Sequence, residues 1–139
     1  MTERAGSVVV DVAAEPESID LVQNAFETWW TALGDESLET RFSFETAIVE
    51  IAANVVEHSR RTDADEGRRF TLELSATDER LTAVFHDNGL PSAIDLSTVS
   101  MADLEDEDGR GLALALLSLE SLDYRHEAGR NVWTLVCRR

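Results

Sequence analysis

The apolar period of this chain changes partway along it, and that change limits the folds open to it. Over Ile19, Val22, Phe26, Trp29, Trp30 and Leu33 apolar residues recur every three or four positions. On a helix this is a single stripe of about 100°, with both tryptophans at its edges as core flank. The same period returns in Phe44, Ala47, Ile48, Ile51, Ala52 and Val55. After the polar stretch Ser59–Arg68 the period falls to two, in Phe70, Leu72, Leu74 and Ala76 and again in Leu81, Ala83 and Phe85. Amphipathic helices and half-buried strands each have one face to cover, and they can cover each other.

The local signals set the expected boundaries. Ser7–Val12 is a short β-branched strand. Glu15–Pro16 turns the chain into a helix from about Ser18 to Leu33, stopped by Gly34. A second helix runs from Ser43, as N-cap, to His58. Phe70–Ala76 and Leu81–Phe85 form a hairpin about Asp78–Glu79. Ser92–Asp108 is a loop with a helical turn, Gly111–Leu119 a helix, and Ser121–Arg125 with Val132–Cys137 a closing hairpin around Ala128–Gly129. The order predicts an α+β fold: one domain over residues 1–139, a two-layer sandwich whose mixed, mostly antiparallel sheet carries its helices on one face.

Charge removes several functions. A net charge of −16 on 139 residues argues against direct nucleic-acid binding and against an electrostatic hold on an anionic membrane. The 43% hydrophobic content still suffices for a core. No apolar run approaches the roughly 20 residues that span a bilayer, and no charged-then-apolar leader opens the chain. Cys137 is the single cysteine, so a reducing cytoplasm is the expected compartment. All twelve basic residues are arginine. Without lysine there is no P-loop, no protein-kinase fold and no pyridoxal Schiff base.

Three stretches carry possible chemistry. Glu50, Asn54 and His58 fall on one edge of the second helix, beside its apolar face. A carboxylate and an amide there can serve as proton acceptor and metal ligand, although a solvated helix face has the same pattern. Asp87-Asn88-Gly89 follows a strand, where a turn is the ordinary reading and a carboxylate reading an exocyclic amine the functional one. Gly109-Arg110-Gly111-Leu112 opens onto a helix N-terminus, whose free N–H groups suit phosphate.

In this order and spacing the three stretches resemble the N, G1 and G2 boxes of the gyrase, heat-shock-chaperone, histidine-kinase and MutL ATPases, the Bergerat fold. The short length resembles, within that superfamily, the anti-sigma-factor serine kinases of bacterial partner switching. The resemblance implies ATP and Mg²⁺ as cofactors, with Asn54 as the metal ligand. It implies that Asp87 and Gly89 hold the adenine, that Gly109, Arg110, Gly111 and Leu112 surround the phosphates, and that Ser92–Asp108 is a lid. Glu50 is implied as the general base for a serine hydroxyl. The implied partners are a sigma factor, a STAS-domain antagonist and a second copy of the chain in a homodimer. The alternative, on the same residues, is a nucleotide-responsive binding module that transfers no phosphate. Pro91 departs from the pattern, standing where many members have a second glycine.

Overall fold

The stripe from Ile19 to Leu33 closes as α1 (Ser18–Leu33) in the computed structural model, which describes residues 7–34, 37–60, 68–89, 117 and 119–139. Gly34 ends the helix as expected, in left-handed backbone at φ +70° with its N–H donating to the Thr31 carbonyl at 3.2 Å. Glycine adopts that conformation without a Cβ clash. The helix start is tied to the preceding strand, β1 (Val8–Ala13). There the buried Ser18 donates its hydroxyl proton to the Ala13 carbonyl at 2.6 Å.

The next helix, α2 (Leu38–Arg60), begins at Leu38 and not at Ser43. Its cap is Ser37, whose Oγ accepts the Thr40 N–H at 3.3 Å while its carbonyl accepts the Arg41 N–H at 3.0 Å. The apolar stripe does not reveal this start, because Leu38 and Phe42 are 76% and 73% exposed. Periodicity follows burial, and the first turns of α2 bury little. From Phe44 onward the stripe is buried as expected. Phe44 closes an aromatic cluster with Phe26 and Trp29, at ring centroid separations of 6.3 and 6.1 Å. Trp30 stacks on Phe26, so both tryptophans belong to the core.

The remaining strands are β2 (Arg69–Ala76), β3 (Arg80–Asp87), β4 (Ser121–Glu127) and β5 (Arg130–Arg138). They extend the expected strands at their ends, which brings Asp87 and Asn131 into the ladder. The sheet order is β1-β2-β3-β5-β4, and all four pairings among the described residues are antiparallel. β4 and β5 are joined by Ala128 and Gly129 at φ 51° and 76°, the pair of positive angles that a two-residue hairpin turn needs. Of the helix expected over Gly111–Leu119, Leu117 and Leu119 are described; the expected loop Ser92–Asp108 lies outside the described residues.

Both helices contact the sheet and each other. The face they cover is read across the strands as rows. Leu74, Ala83, Leu135 and Leu122 form one; Leu72, Phe85, Trp133 and Tyr124 the next; Phe70, Asp87, Asn131 and His126 the last. Two of these rows are apolar or aromatic and the last is mostly polar. The core therefore ends, at one end of the strands, in the buried Asp87 and Asn131, which need hydrogen-bond partners. No helix among the described residues is long and apolar enough to cross a membrane.

Candidate functional site

Asp87 is the final residue of β3, and antiparallel register places Asn131 of β5 directly beside it. Asp87 is 5% exposed and Asn131 1%. A carboxylate this buried must be hydrogen-bonded or it destabilises the fold. Its Oδ1 accepts the Gly89 N–H at 2.8 Å, the turn expected of an Asp followed two residues later by glycine. The same Oδ1 accepts from Asn131 Nδ2 at 2.8 Å. Both bonds end on Oδ1, which leaves Oδ2 for another donor.

Asn131 is the hub of this end of the sheet. Its Nδ2 also reaches the Gly89 carbonyl, at 3.4 Å, and its Oδ1 accepts the Tyr124 hydroxyl. His126 Nδ1 lies 3.0 Å from the same Oδ1. Tyr124 in turn packs on Trp133 at 4.5 Å between ring centroids. The chain leaving Asp87 is held as firmly. Asn88 Oδ1 accepts the Arg69 N–H at 3.0 Å, and the Asn88 carbonyl accepts from Arg68. A cleft of about 250 Å³ at this end of the strands is lined by Asp87 and Asn88 together with Asp11, Arg69, Phe70, Thr71, His86 and Arg130.

Glu50 and Asn54 lie one turn apart on α2, both half-buried at the margin of its apolar face, as the spacing predicts. Glu50 lines a cleft of about 240 Å³ with Gln23 of α1 and Phe42, Glu45, Thr46 and Val49 of α2. Among the described residues no hydrogen bond or ion pair holds either side chain. The structure thus brings Asp87 together with Gly89, and Glu50 together with Asn54, but bonds neither pair to the other. Gly109, Arg110, Gly111 and Leu112 lie outside the described residues, as do Pro91 and the side chain of His58. Cys137 is buried at the opposite end of β5. Burial, and then the Glu120 carboxylate, push its thiol pKa up and keep it protonated.

Asn131, Tyr124 and His126 were not singled out by their sequence pattern. Alternation with Trp133, Leu135 and Cys137 does place Asn131 on the inner face. Its contact with Asp87 comes from pairing across the sheet, and no local motif records that.

A five-stranded antiparallel sheet with helices packed on one face, and a buried carboxylate at a strand end followed by glycine, are consistent with the Bergerat fold. The chain belongs to the histidine kinase-like ATPase domain family, which it matches over residues 12–137. It is also similar to a crystal structure of the RsbU and RsbW domains of Rv1364c from Mycobacterium tuberculosis, with a TM-score of 0.66 and 22% identity. That match covers 96% of this chain and 32% of the other, so the chain spans about a third of the length of the protein it resembles. At that identity the likeness is one of fold. No curated protein matches the sequence.

Proposed function

We propose that this domain is an ATP-dependent serine protein kinase that also acts as an anti-sigma factor. In this reading it phosphorylates a STAS-type antagonist, sequesters a sigma factor and works as a homodimer. The observation that carries the nucleotide part is the Asp87 carboxylate: buried, anchored through Oδ1, with Oδ2 left over, in a chain of an ATPase family. Adenine offers an exocyclic amine that needs such an acceptor. Gly89, without a side chain, lets the backbone approach the base.

The remaining roles follow from the donor set. Asn54 offers an amide oxygen, a hard ligand of the kind Mg²⁺ takes alongside substrate phosphates. The metal would supply charge neutralisation at those phosphates. Gly109, Arg110, Gly111 and Leu112 are assigned to the phosphates on the family resemblance of their Gly-x-Gly-Leu sequence. Glu50, with no partner among the described residues, is free to accept a proton. It takes the hydroxyl proton of the incoming serine as its Oγ bonds to the γ-phosphorus. The bond from that phosphorus to the β-phosphate oxygen breaks, and ADP leaves.

Helix geometry supports the two halves working together. α2 starts beside the Cys137 end of β5, where Ser43 and Cys137 line one cavity. From Ser43 to Asn54 the helix rises about 16 Å, and β5 covers about 20 Å from Cys137 back to Asn131. The two spans differ by about 4 Å, so an α2 running along β5 would bring Asn54 near the level of the Asp87 row.

The decisive experiment is transfer from γ-labelled ATP to a purified STAS-domain antagonist from the same genome. Label appearing on a serine of the antagonist, and on no serine of an unrelated protein, is the expected result. ATP binding and partner capture with no label on any authentic antagonist would mean a binding module.

A further inference from the structure

We infer that Asn131 is a specificity-determining residue of the base site. Through its amide the β4–β5 hairpin fixes how the Asp87 carboxylate presents itself. That selects a base bearing an amine over one bearing a carbonyl at the same position. The inference rests on the nucleotide reading above and goes further, to a residue outside the three sequence boxes.

The argument is one of direction. Asp87 Oδ1 accepts the Gly89 N–H, so that oxygen is an acceptor. Asn131 must therefore turn its NH₂ toward it, since two oxygens at 2.8 Å with no proton between them would repel. The Asn131 oxygen is then forced to the other side, where it accepts from the Tyr124 hydroxyl and from His126. His126 must consequently carry its proton on Nδ1. Each donor and acceptor from His126 to Gly89 is set by its neighbour, and the chain ends at the carboxylate.

The consequence falls on Oδ2. A carboxylate torsion is broad and two-fold, so one anchor alone does not hold it. Two donors converging on Oδ1 do hold it, and Oδ2 is presented as a fixed, lone acceptor. Such an atom takes an N–H and repels a carbonyl. Removing Asn131 frees the carboxylate to turn and spends selectivity before it spends phosphate affinity. Asn131 touches Asp87 and acts through it, so it is a positioning residue.

The test is titration of Mg-ATP and of Mg-inosine triphosphate, whose base has a carbonyl in place of the adenine amine. Wild type should bind ATP more tightly. Asn131→Ala should weaken ATP by about three- to tenfold, the worth of one net hydrogen bond, and leave inosine triphosphate unchanged. Asn131→Thr should restore much of the preference, because a hydroxyl can donate to Asp87 and accept from Tyr124. Tyr124→Phe should shift the ratio the same way by less. Melting without nucleotide verifies the fold of each variant. A folded Asn131→Ala with the wild-type ratio overturns the inference, and so does an equal loss for both nucleotides, which is what a merely structural residue would give. Wild type that binds both nucleotides equally overturns it while leaving nucleotide binding intact. Wild type that binds neither overturns the nucleotide reading and this inference with it. Should Asn131→Ala fail to fold, Tyr124→Phe reads the same ratio, and no change in it overturns the inference.

Discussion

The Asp87 end of the sheet and the Glu50 edge of α2 are built on opposite terms. At Asp87 the carboxylate is buried and its Oδ1 accepts twice, with Asn131 tying it to the neighbouring hairpin. At Glu50 the side chain is half-buried and makes no hydrogen bond among the described residues. A group that must recognise one fixed shape gains from being held before the ligand arrives. A group that must take a proton from another protein gains from being reachable. The difference suits a division of labour: recognition on the sheet, reaction on the helix.

Four substitutions would break or sharpen that division. Glu50→Gln has the largest expected effect. It keeps shape and polarity but removes the basic site, so phosphoserine formation should fall by about 10²–10⁴-fold with ATP affinity nearly unchanged. A calorimetric titration beside the transfer assay checks both. Wild-type transfer would take the general-base role away from Glu50, and a parallel loss of ATP binding would abolish the contrast between the two regions.

Asp87→Asn comes next, and the two anchors at Oδ1 decide its sign. They hold the new amide oxygen where Oδ1 stood, which turns the NH₂ outward in place of Oδ2. Adenine then meets a donor facing a donor. ATP affinity should fall by about 10–100-fold, the worth of a hydrogen bond to a charged group, and the preference for ATP over GTP should shrink or invert. Unchanged discrimination would move base reading off Asp87. Asn54→Ala should be milder: about tenfold weaker nucleotide binding, since one ligand of several is lost, and only when Mg²⁺ is present. Equal weakening with and without Mg²⁺ would remove the metal-ligand role.

Legibility in the sequence follows the range of the interaction. α1 was readable at both ends, because its stripe is buried or half-buried from Ile19 to Leu33 and Gly34 stops it locally. The Asp87–Gly89 turn was readable for the same reason, since both residues sit within one short segment. The start of α2 was not, because Leu38 and Phe42 point their apolar bulk outward and Ser37 lies before the periodic region. Asn131 was missed for a different reason. It meets Asp87 across 44 positions of chain, and only the sheet order puts β5 beside β3. Asp87-x-Gly89 and Glu50-x-x-x-Asn54 are local patterns that the sequence displays, but the partners that orient the Asp87 carboxylate are supplied by tertiary register.

The smallest expected effect separates the two regions most cleanly. Ser37 caps α2 on the exposed side of the molecule, where its Oγ accepts the Thr40 N–H. Ser37→Ala removes one capping bond and should cost about 1 kcal/mol, a fall in Tm of a few degrees for a domain of this size. Leu38 and Phe42 bury little, so packing cannot compensate, and the first turns of α2 should fray. Amide hydrogen exchange should therefore speed up over residues 38–43 and stay at the wild-type rate at Asp87 and Asn131. Adenine discrimination should be untouched, because the Asp87 anchors come from β5 and the β3 exit. Transfer should fall only as far as fraying reaches Glu50, two to three turns further along the helix. If exchange at Asn131 rose in step with that at Thr40, helix edge and sheet end would open as one cooperative unit, and the division of labour between them would be lost.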